Sequence, residues 1–423
     1  MPHLLLRNIR GLYRVSNKGE ERKAGGAMAD AARLDNAWLL AENGMIIGMG
    51  QMATCPQADD LDPETTQVID CSNRLVLPGF VDSHTHLVFA RSREEEYVDR
   101  IRGLSYEEIA KRGGGILNSA RRLREMSEDE LLEGAIERAW EIFQLGTTTV
   151  EIKSGYGLTT EDELKMLRVA RSLKHYCPLN IKTTFLGAHA IPLDYKQDRK
   201  GYIDLVVNEM LPLVAEEGLA EFVDVFCDEG FFTVDETARI LSAAQQYKLI
   251  PKIHANEIAN SGGVQVGIAH DALSVDHLER TGPEEIKALL ESKTIPTVLP
   301  GCSFFLGIDY APARQMIDAG LPVCIATDYN PGSSPAGNMQ FMISLACTVM
   351  RLLPEEALIA TTLNGAAALG LSDQVGSLEL GKRADLLITD PMESLARLPY
   401  YHTRDQIAMV ISGGEVYDKS DVS

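Results

Sequence analysis

The stretch Leu77-Pro-Gly-Phe-Val-Asp-Ser-His84-Thr-His86 is the strongest indication of the fold: it is an apolar run that ends in two histidines spaced two residues apart. Side chains alternate between the two faces of a β-strand, so His84 and His86 point to the same side and their imidazoles can converge on one metal ion. Two ligands are too few for a stable site. The pattern therefore predicts further ligands elsewhere in the chain.

Three other candidate site residues follow short apolar runs. His254, His277 and Asp328 each end such a run. The C-terminal ends of parallel strands meet at one face of a barrel, which is where active sites of this architecture lie. We therefore expect these side chains to share one site with His84 and His86.

The barrel is predicted from short β-branched runs that alternate with amphipathic helical segments between about residues 75 and 353. Eight such runs lie at residues 75–83, 147–153, 181–188, 222–228, 249–256, 273–278, 295–300 and 322–327. Eight parallel strands close a (β/α)₈ barrel. The sequence thus predicts an α/β fold with a TIM-like catalytic barrel over residues 75–373.

The two ends of the chain have a different pattern. Residues 1–74 and 374–423 contain alternating apolar strands and turns. Since both segments flank the barrel, we expect them to fold together into one small composite domain that is β-sandwich-like.

Capping-box patterns predict where helices of the barrel begin. Ser127 with Glu130 forms one such pattern, and Thr160 with Glu163 forms another. A shorter helix is predicted over residues 105–115, which end in three glycines. These glycines either stop the helix or form a mobile lid over the pocket, and we favour the helix stop.

The composition limits the classes of binding partner that the protein can have and indicates its cell compartment. The 423 residues include 40 basic and 61 acidic side chains, which give a formal net charge of −21. Such a field repels nucleic acid and anionic membranes. We find no apolar stretch of the roughly 18 residues that cross a bilayer and no export signal. Seven cysteines without paired spacing favour a reduced, cytoplasmic protein. A small anionic substrate would need a local basic residue.

The candidate ligands form a nitrogen- and oxygen-rich set that suits zinc or ferrous iron. Two imidazoles come from the first strand, one from the fifth, and a carboxylate from the eighth. The predicted metal ligands are His84, His86, His254 and Asp328. A metal held in this way lowers the pKa of bound water toward about 7, which supplies a nucleophile at neutral pH.

Proton transfer needs further groups. Glu257, three residues after His254, can face the same pocket as an acid or a base. His277 can orient water or stabilise the oxygen of a tetrahedral intermediate. The alternatives are a solvent-exposed carboxylate and a histidine that only supports the site. Asp328, His277 and Glu257 all stay candidates for the group that accepts the proton of water.

These motifs together resemble the amidohydrolase superfamily, as does the return segment Gly376-Ser-Leu-x-x-Gly-Lys-x-Ala-Asp-Leu. The resemblance covers nearly the full chain and implies a metal-bearing barrel that hydrolyses C–N and sometimes other bonds. Members with two metals usually carry a bridging lysine at the end of strand four, where this chain has Cys227-Asp-Glu-Gly. The resemblance therefore implies one zinc or iron ion per subunit, and also a homodimer. Lys153, which ends strand two, is expected to be structural or electrostatic.

Residues 151–157, 184–190, 299–305 and 326–334 narrow the resemblance. They are similar to members that open an imidazolone ring bearing a propionate chain, a hydrolytic step of histidine breakdown. The resemblance implies that Arg93 binds the propionate and that Tyr156 and His189 donate hydrogen bonds to the ring or carboxylate. It also implies that Glu257 contacts the ring nitrogens, and that Asn330, Gly332 and Ser333 contact the opened product.

Two other functions stay open at this point. One is another mononuclear amidohydrolase, such as a pyrimidine, guanine or formimidoyl deaminase, since the pair His254-x-x-Glu257 is shared with that group. The other is a non-catalytic barrel that serves as a scaffold. The intact set of four candidate ligands argues against the scaffold.

Overall fold

The computed structural model describes residues 3–17, 19–56, 65–104, 108 and 114–419. The helix predicted over residues 105–115, and with it the question of a helix stop or a lid, lies mostly outside these residues. Gly115 is described: it has a φ of 80° and directly precedes the helix Ile116–Arg124. A left-handed φ of this kind favours glycine.

Eight parallel strands form the barrel within the described residues, and they pair in chain order. The strands are Phe80–Asp82, Thr147–Lys153, Asn180–Ala188, Phe222–Cys227, Ile250–Ala255, Ser274–His277, Ile295–Val298 and Cys324–Ile325. The predicted α/β barrel is therefore confirmed.

Hydrogen bonds beyond the strand ends close the seam between the first and the last barrel strand. The amide of Asp328 donates to the carbonyl of His84 at 3.0 Å, and the amide of His86 donates to the carbonyl of Tyr329 at 2.9 Å. Thr85 and Tyr329 form a parallel bridge between these bonds. Three of the predicted metal ligands thus lie on the two segments that complete the barrel.

The run predicted as one strand over residues 75–83 is divided into two strands. Leu75–Pro78 belongs to a second sheet, Phe80–Asp82 belongs to the barrel, and Gly79 lies between them. A Cβ atom at Gly79 would lie 2.1 Å from Thr148 Oγ1. The chain can therefore pass from one sheet to the other here only with a residue that has no side chain.

Helices connect the barrel strands and pack around them. The α-helices of the described residues are Glu94–Ile101, Ile116–Arg124, Glu128–Gln144, Thr160–Ser172, Arg199–Leu205, Leu211–Glu216, Val234–Gln246, Gly263–Ala269, Pro283–Leu290, Pro300–Leu306, Ala313–Ala319, Met339–Thr348, Pro354–Ala360, Leu363–Ala367 and Arg397–Tyr400. None of them is long and apolar enough to cross a membrane. The capping box predicted at Ser127 is present, with both hydrogen bonds to Glu130 formed.

The second predicted capping box differs from the structure. The cap is Thr159 rather than Thr160, and its hydroxyl accepts from the amide of Asp162 at 3.2 Å. Glu163 does not reach back to the start of the helix. Its carboxylate instead accepts three backbone N–H groups of the loop before the helix, at 2.8 to 2.9 Å. These buried donors need an acceptor, and they take the carboxylate.

Both chain ends meet in a second, mixed sheet, which has eight strands in the described part of the chain. Its strands are His3–Tyr13, Arg33–Glu42, Met45–Gln51, Thr66–Asp70, Leu75–Pro78, Leu386–Thr389, Ile407–Ser412 and Glu415–Asp418. Leu75–Pro78 joins the two ends, because it pairs with a strand from each of them. The ends thus fold together as predicted, while the exact boundaries after residues 74 and 373 stay a prediction.

Candidate active site

The four predicted metal ligands come together at the C-terminal ends of three barrel strands. Asp328 Oδ1 lies 3.5 Å from His84 Nε2 and 3.6 Å from His86 Nε2. His254 Nε2 lies 3.4 Å from His86 Nε2. All four side chains are buried. Among the described residues, the possible ligand atoms of His84, His86 and Asp328 form one compact group in the mouth of the barrel, and those of His84 and His254 form another with His277.

The spacing of these atoms fits one metal ion. Four tetrahedral ligands at about 2.1 Å from an ion lie about 3.4 Å from one another. Burial lowers the pKa of His84 and of His86 well below the ordinary value, so both imidazoles are neutral, which is the form that binds metal. His84 Nε2 is buried and has no hydrogen-bond partner among the described residues. A buried nitrogen without a partner is rare unless another ligand takes it.

Two carboxylates that the sequence analysis missed orient these histidines. His84 Nδ1 donates to Asp276 Oδ2 at 2.7 Å, and His254 Nδ1 donates to Asp224 Oδ2 at 3.0 Å. Each bond keeps the proton on Nδ1 and leaves the Nε2 lone pair facing the metal position. The only sign of these residues in the sequence is an aspartate inside an otherwise apolar strand.

His277 and Glu257 face the same site. His277 Nε2 lies 3.6 Å from Glu257 Oε2, and His277 Nδ1 lies 3.6 Å from Glu279 Oε2. Burial disfavours a charged imidazole, but the two carboxylates outweigh burial and raise the pKa of His277 well above its ordinary value. Burial also raises the pKa of Glu257. Since the ring of His277 lies 5.7 Å from that of His84, this pair can hold a proton next to the metal position.

Two site residues have a strained backbone. The φ angle is 84° at His277 and 54° at Asp328, in the left-handed region that residues with a side chain rarely adopt. Such a conformation costs about 1–3 kcal/mol and persists only where its surroundings hold it. At Asp328 the hydrogen bond across the seam to His84 does so.

A cavity of about 460 Å³ opens from the metal position. All seven residues predicted to contact substrate or product line it: Arg93, Tyr156, His189, Glu257, Asn330, Gly332 and Ser333. Two further arginines that the sequence analysis did not identify, Arg100 and Arg280, also line it. The cavity thus combines several cationic side chains with the candidate metal centre.

Arg93 is suited to bind an anion. Its side chain is 10% exposed, its buried Nε has no hydrogen-bond partner among the described residues, and a carboxylate oxygen of Glu96 lies 3.7 Å from its Nη1. The guanidinium lies directly against Gly332, where a Cβ atom would come within 1.3 Å of Nη2. Arg100 Nη2 donates to the carbonyl of the same glycine at 3.0 Å. A buried, under-paired guanidinium gains most from a carboxylate ligand.

The loop that carries Tyr156 is held from both sides. The amides of Gly155 and Leu158 donate to the carboxylate of Glu163, and His189 Nδ1 donates to the carbonyl of Gly155 at 2.9 Å. Burial lowers the pKa of His189 to about 3, so the ring is neutral. Its Nε2 therefore carries a lone pair and can accept a hydrogen bond from a substrate N–H. The resemblance in sequence predicts a donor at this position instead.

Asn330 builds the loop that follows Asp328. Its Oδ1 accepts from the amides of Gly332 and Ser333 at 2.7 and 2.8 Å. Its Nδ2 donates to the carbonyl of Asp328 at 2.7 Å and to the Ser333 hydroxyl at 2.8 Å. The side chain of Asn330 thus shapes the wall of the cavity from within the loop.

Solved structures share this fold at low sequence identity. A guanine deaminase of E. coli aligns with a TM-score of 0.75 and 17% identity, over 99% of this chain and all of that one. An atrazine chlorohydrolase of Arthrobacter aurescens complexed with zinc aligns with a TM-score of 0.72 and 19% identity, over 98% of this chain and 94% of that one. At these identities the likeness shows the fold alone.

Sequence relatives are much closer. A protein of Christiangramia forsetii named imidazolonepropionase is 49% identical over 98% of this chain and 99% of its own length. A protein of Alkaliphilus oremlandii with the same name is 40% identical over 97% of both chains. The model of the amidohydrolase family matches residues 75–417, which include the barrel and the return strands of the mixed sheet. The chain therefore belongs to the amidohydrolase family.

Proposed function

We propose that this protein hydrolyses a ring C–N bond of 4-imidazolone-5-propanoate and releases N-formimidoyl-L-glutamate in histidine degradation. The observation that carries the proposal is the 40% and 49% identity, over nearly the whole chain, to proteins named imidazolonepropionase. The site supports it, because a cavity with a metal position at one side and the mostly enclosed guanidinium of Arg93 in its wall suits a small ring that bears a carboxylate.

We infer one zinc or ferrous ion per subunit, held by His84, His86, His254 and Asp328. When bound, the ion would act as a Lewis acid that activates water and polarises the ring carbonyl. The end of strand four supports a single ion. This strand end carries no lysine, and Asp228 already accepts hydrogen bonds from four backbone amides and the Ser261 hydroxyl.

Different side chains of the cavity bind the substrate and transfer protons. Arg93 binds the propionate and thereby places the ring beside the metal position. Tyr156 and His189 add hydrogen bonds to the ring. Asp328 accepts the proton of the attacking water. His277, which Glu257 and Glu279 keep protonated, stabilises the oxygen of the attacked carbonyl.

Glu257 then completes the reaction. It contacts the ring nitrogens and passes a proton to the nitrogen that leaves, so the ring C–N bond breaks. The loop of Asn330, Gly332 and Ser333 lines the space that the opened product occupies.

The test compares substrates on the purified, metal-loaded protein. We expect loss of 4-imidazolone-5-propanoate and formation of N-formimidoyl-L-glutamate, with no turnover of pyrimidine, guanine or formimidoyl compounds. Release of ammonia from one of those compounds, without ring opening, would contradict the proposal. Absence of both metal and activity would favour a non-catalytic barrel.

We also infer a homodimer in the cytoplasm, with a small-molecule substrate and without nucleic acid or membrane partners. The net charge of −21 supports the last point. All seven cysteines lie among the described residues and none is in a disulfide, which supports a reducing compartment. Light scattering on the purified protein tests the dimer, and a mass equal to one chain would contradict it.

A further inference from the structure

A layer of buried charges lies in the barrel next to the candidate metal ligands. It consists of Glu151, Lys153, Asp224, Lys252 and Asp276, whose side chains have no exposed surface. Two positive charges face three negative ones. Burying an ion costs several kcal/mol unless its partners compensate, so each member of such a layer depends on the others.

Lys153 is the centre of this layer. Its ammonium Nζ lies 2.8 Å from Glu151 Oε1, 2.8 Å from Asp224 Oδ2 and 3.7 Å from Asp276 Oδ2. Burial opposes the charge of Lys153, but the three carboxylates outweigh burial and keep its pKa above the ordinary value. The lysine is therefore a permanent cation between three anions.

The same two aspartates orient the metal-binding histidines. The Asp224 oxygen that accepts from Lys153 also accepts from His254 Nδ1 at 3.0 Å. The Asp276 oxygen that faces Lys153 accepts from His84 Nδ1 at 2.7 Å. One ammonium group thus contacts both carboxylates that direct the Nε2 atoms toward the ion.

We propose that Lys153 is a positioning residue of the metal centre: it holds Asp224 directly and Asp276 by a longer ion pair, and through them it keeps His254 and His84 in the orientation that retains the ion. The proposal rests on the metal site of the proposed function. It does not depend on which substrate the enzyme takes.

Lys252 provides a matched control within the same layer. It is equally buried and equally charged, but its Nζ donates to the carbonyl of Ser83 at 2.8 Å and to Glu151 Oε2 at 3.3 Å. Its distance to Asp276 Oδ2 is 3.9 Å, close to the 3.7 Å of Lys153, so the two lysines differ in the hydrogen bond that Lys153 makes to Asp224. Replacing Lys252 therefore makes the same change in net charge without removing a hydrogen bond to a histidine-binding aspartate.

The experiment measures the rate at which the zinc-loaded, folded protein releases its metal to a chelating dye. Changes in groups that hold a metal ligand typically weaken metal binding by about 10- to 100-fold. We expect Lys153→Met to accelerate release about tenfold and Lys252→Met to change it less than about threefold. Near-ultraviolet circular dichroism confirms that each variant is folded.

A double variant tests whether the effect passes through Asp224. Two changes on one path are not additive. We therefore expect Asp224→Asn to accelerate release at least as much as Lys153→Met, and the combination to release zinc no faster than Asp224→Asn alone. If the increases in release rate of the two single variants multiply in the double variant, Lys153 does not act through Asp224 and the proposal is wrong.

Three further results would also overturn the proposal. These are unchanged release from folded Lys153→Met, equal acceleration in Lys252→Met, and a parent protein that binds neither zinc nor ferrous iron. The last also removes the metal site of the proposed function, whereas the first two leave that function intact. If Lys153→Met does not fold, the pair Lys153→Gln and Lys252→Gln is compared by the same criteria.

Discussion

At the scale of single residues, Arg93 offers the most direct test of substrate binding. We expect Arg93→Gln to raise KM about 10- to 100-fold, because a hydrogen bond to a charged group contributes about 1.5–3 kcal/mol. The metal content should not change. Steady-state kinetics and metal analysis measure the two quantities. Arg91→Gln, which changes an exposed arginine two residues away, is the control. Unchanged substrate affinity in Arg93→Gln would mean that another residue binds the carboxylate.

Gly332 tests the same contact from the opposite side. An alanine Cβ at this position would lie 1.3 Å from Arg93 Nη2, so the guanidinium must move. We expect Gly332→Ala to raise KM about as much as Arg93→Gln, and the double variant to add little. Gly26→Ala is the control, since a Cβ there meets no atom within 4 Å. A normal KM in Gly332→Ala would show that the position of the guanidinium is not critical.

The residues of the site differ in how well the sequence predicts them. His84, His86 and Asp328 lie at strand ends beside turns, where a polar residue after an apolar run indicates a function. Asp224 lies inside a strand and Lys153 ends one, and the importance of both depends on partners from other strands. A buried charge can be recognised as part of a network only when the barrel has placed its partners next to it.

At the scale of elements, Glu163 connects a helix to the loop of Tyr156. Its two carboxylate oxygens accept hydrogen bonds from three buried backbone amides. In a glutamine, one of these oxygens is replaced by an NH₂ group, which cannot accept. We expect Glu163→Gln to lower the free energy of unfolding by about 1–3 kcal/mol and to raise KM. Urea denaturation and steady-state kinetics measure these effects. Glu161→Gln changes an exposed residue of the same helical turn and should do neither. Equal behaviour of the two variants would contradict the anchoring role.

The elements themselves were predictable where local pattern decides them. Periodicity predicted the eight barrel strands, and the capping box at Ser127 predicted a helix start. The break at Gly79 was not predictable, because it depends on the side chain of Thr148 in a neighbouring strand. The cap at Thr159 was missed for a related reason, since Glu163 is drawn to donors in the preceding loop. Tertiary contacts thus override local signals at both places.

At the scale of the whole molecule, the acidic composition and the anionic substrate are compatible because they act over different distances. A net charge of −21 spread over the surface is screened within about 8 Å at physiological ionic strength. Arg93 acts inside a buried cavity, where screening is weak. Composition could therefore exclude classes of partner, but only the fold shows where an anion can bind.

The proposed metal ligands lie on three strands that are far apart in the chain, so removal of the ion should weaken the entire fold. An ion that binds only the folded chain, at about 1,000 times its dissociation constant, contributes about 4 kcal/mol, or about 5 °C in Tm for a chain of 423 residues. We expect a chelator to lower Tm by this amount and added zinc to restore it, as measured by thermal denaturation. Asp328→Ala should lose the response to zinc, whereas Asp309→Ala, a change of an exposed aspartate, should keep it. Asp328 follows the last barrel strand, so an ion that it binds connects this strand to the first one. An equal zinc response in Asp328→Ala and the parent would therefore mean that the ion binds elsewhere.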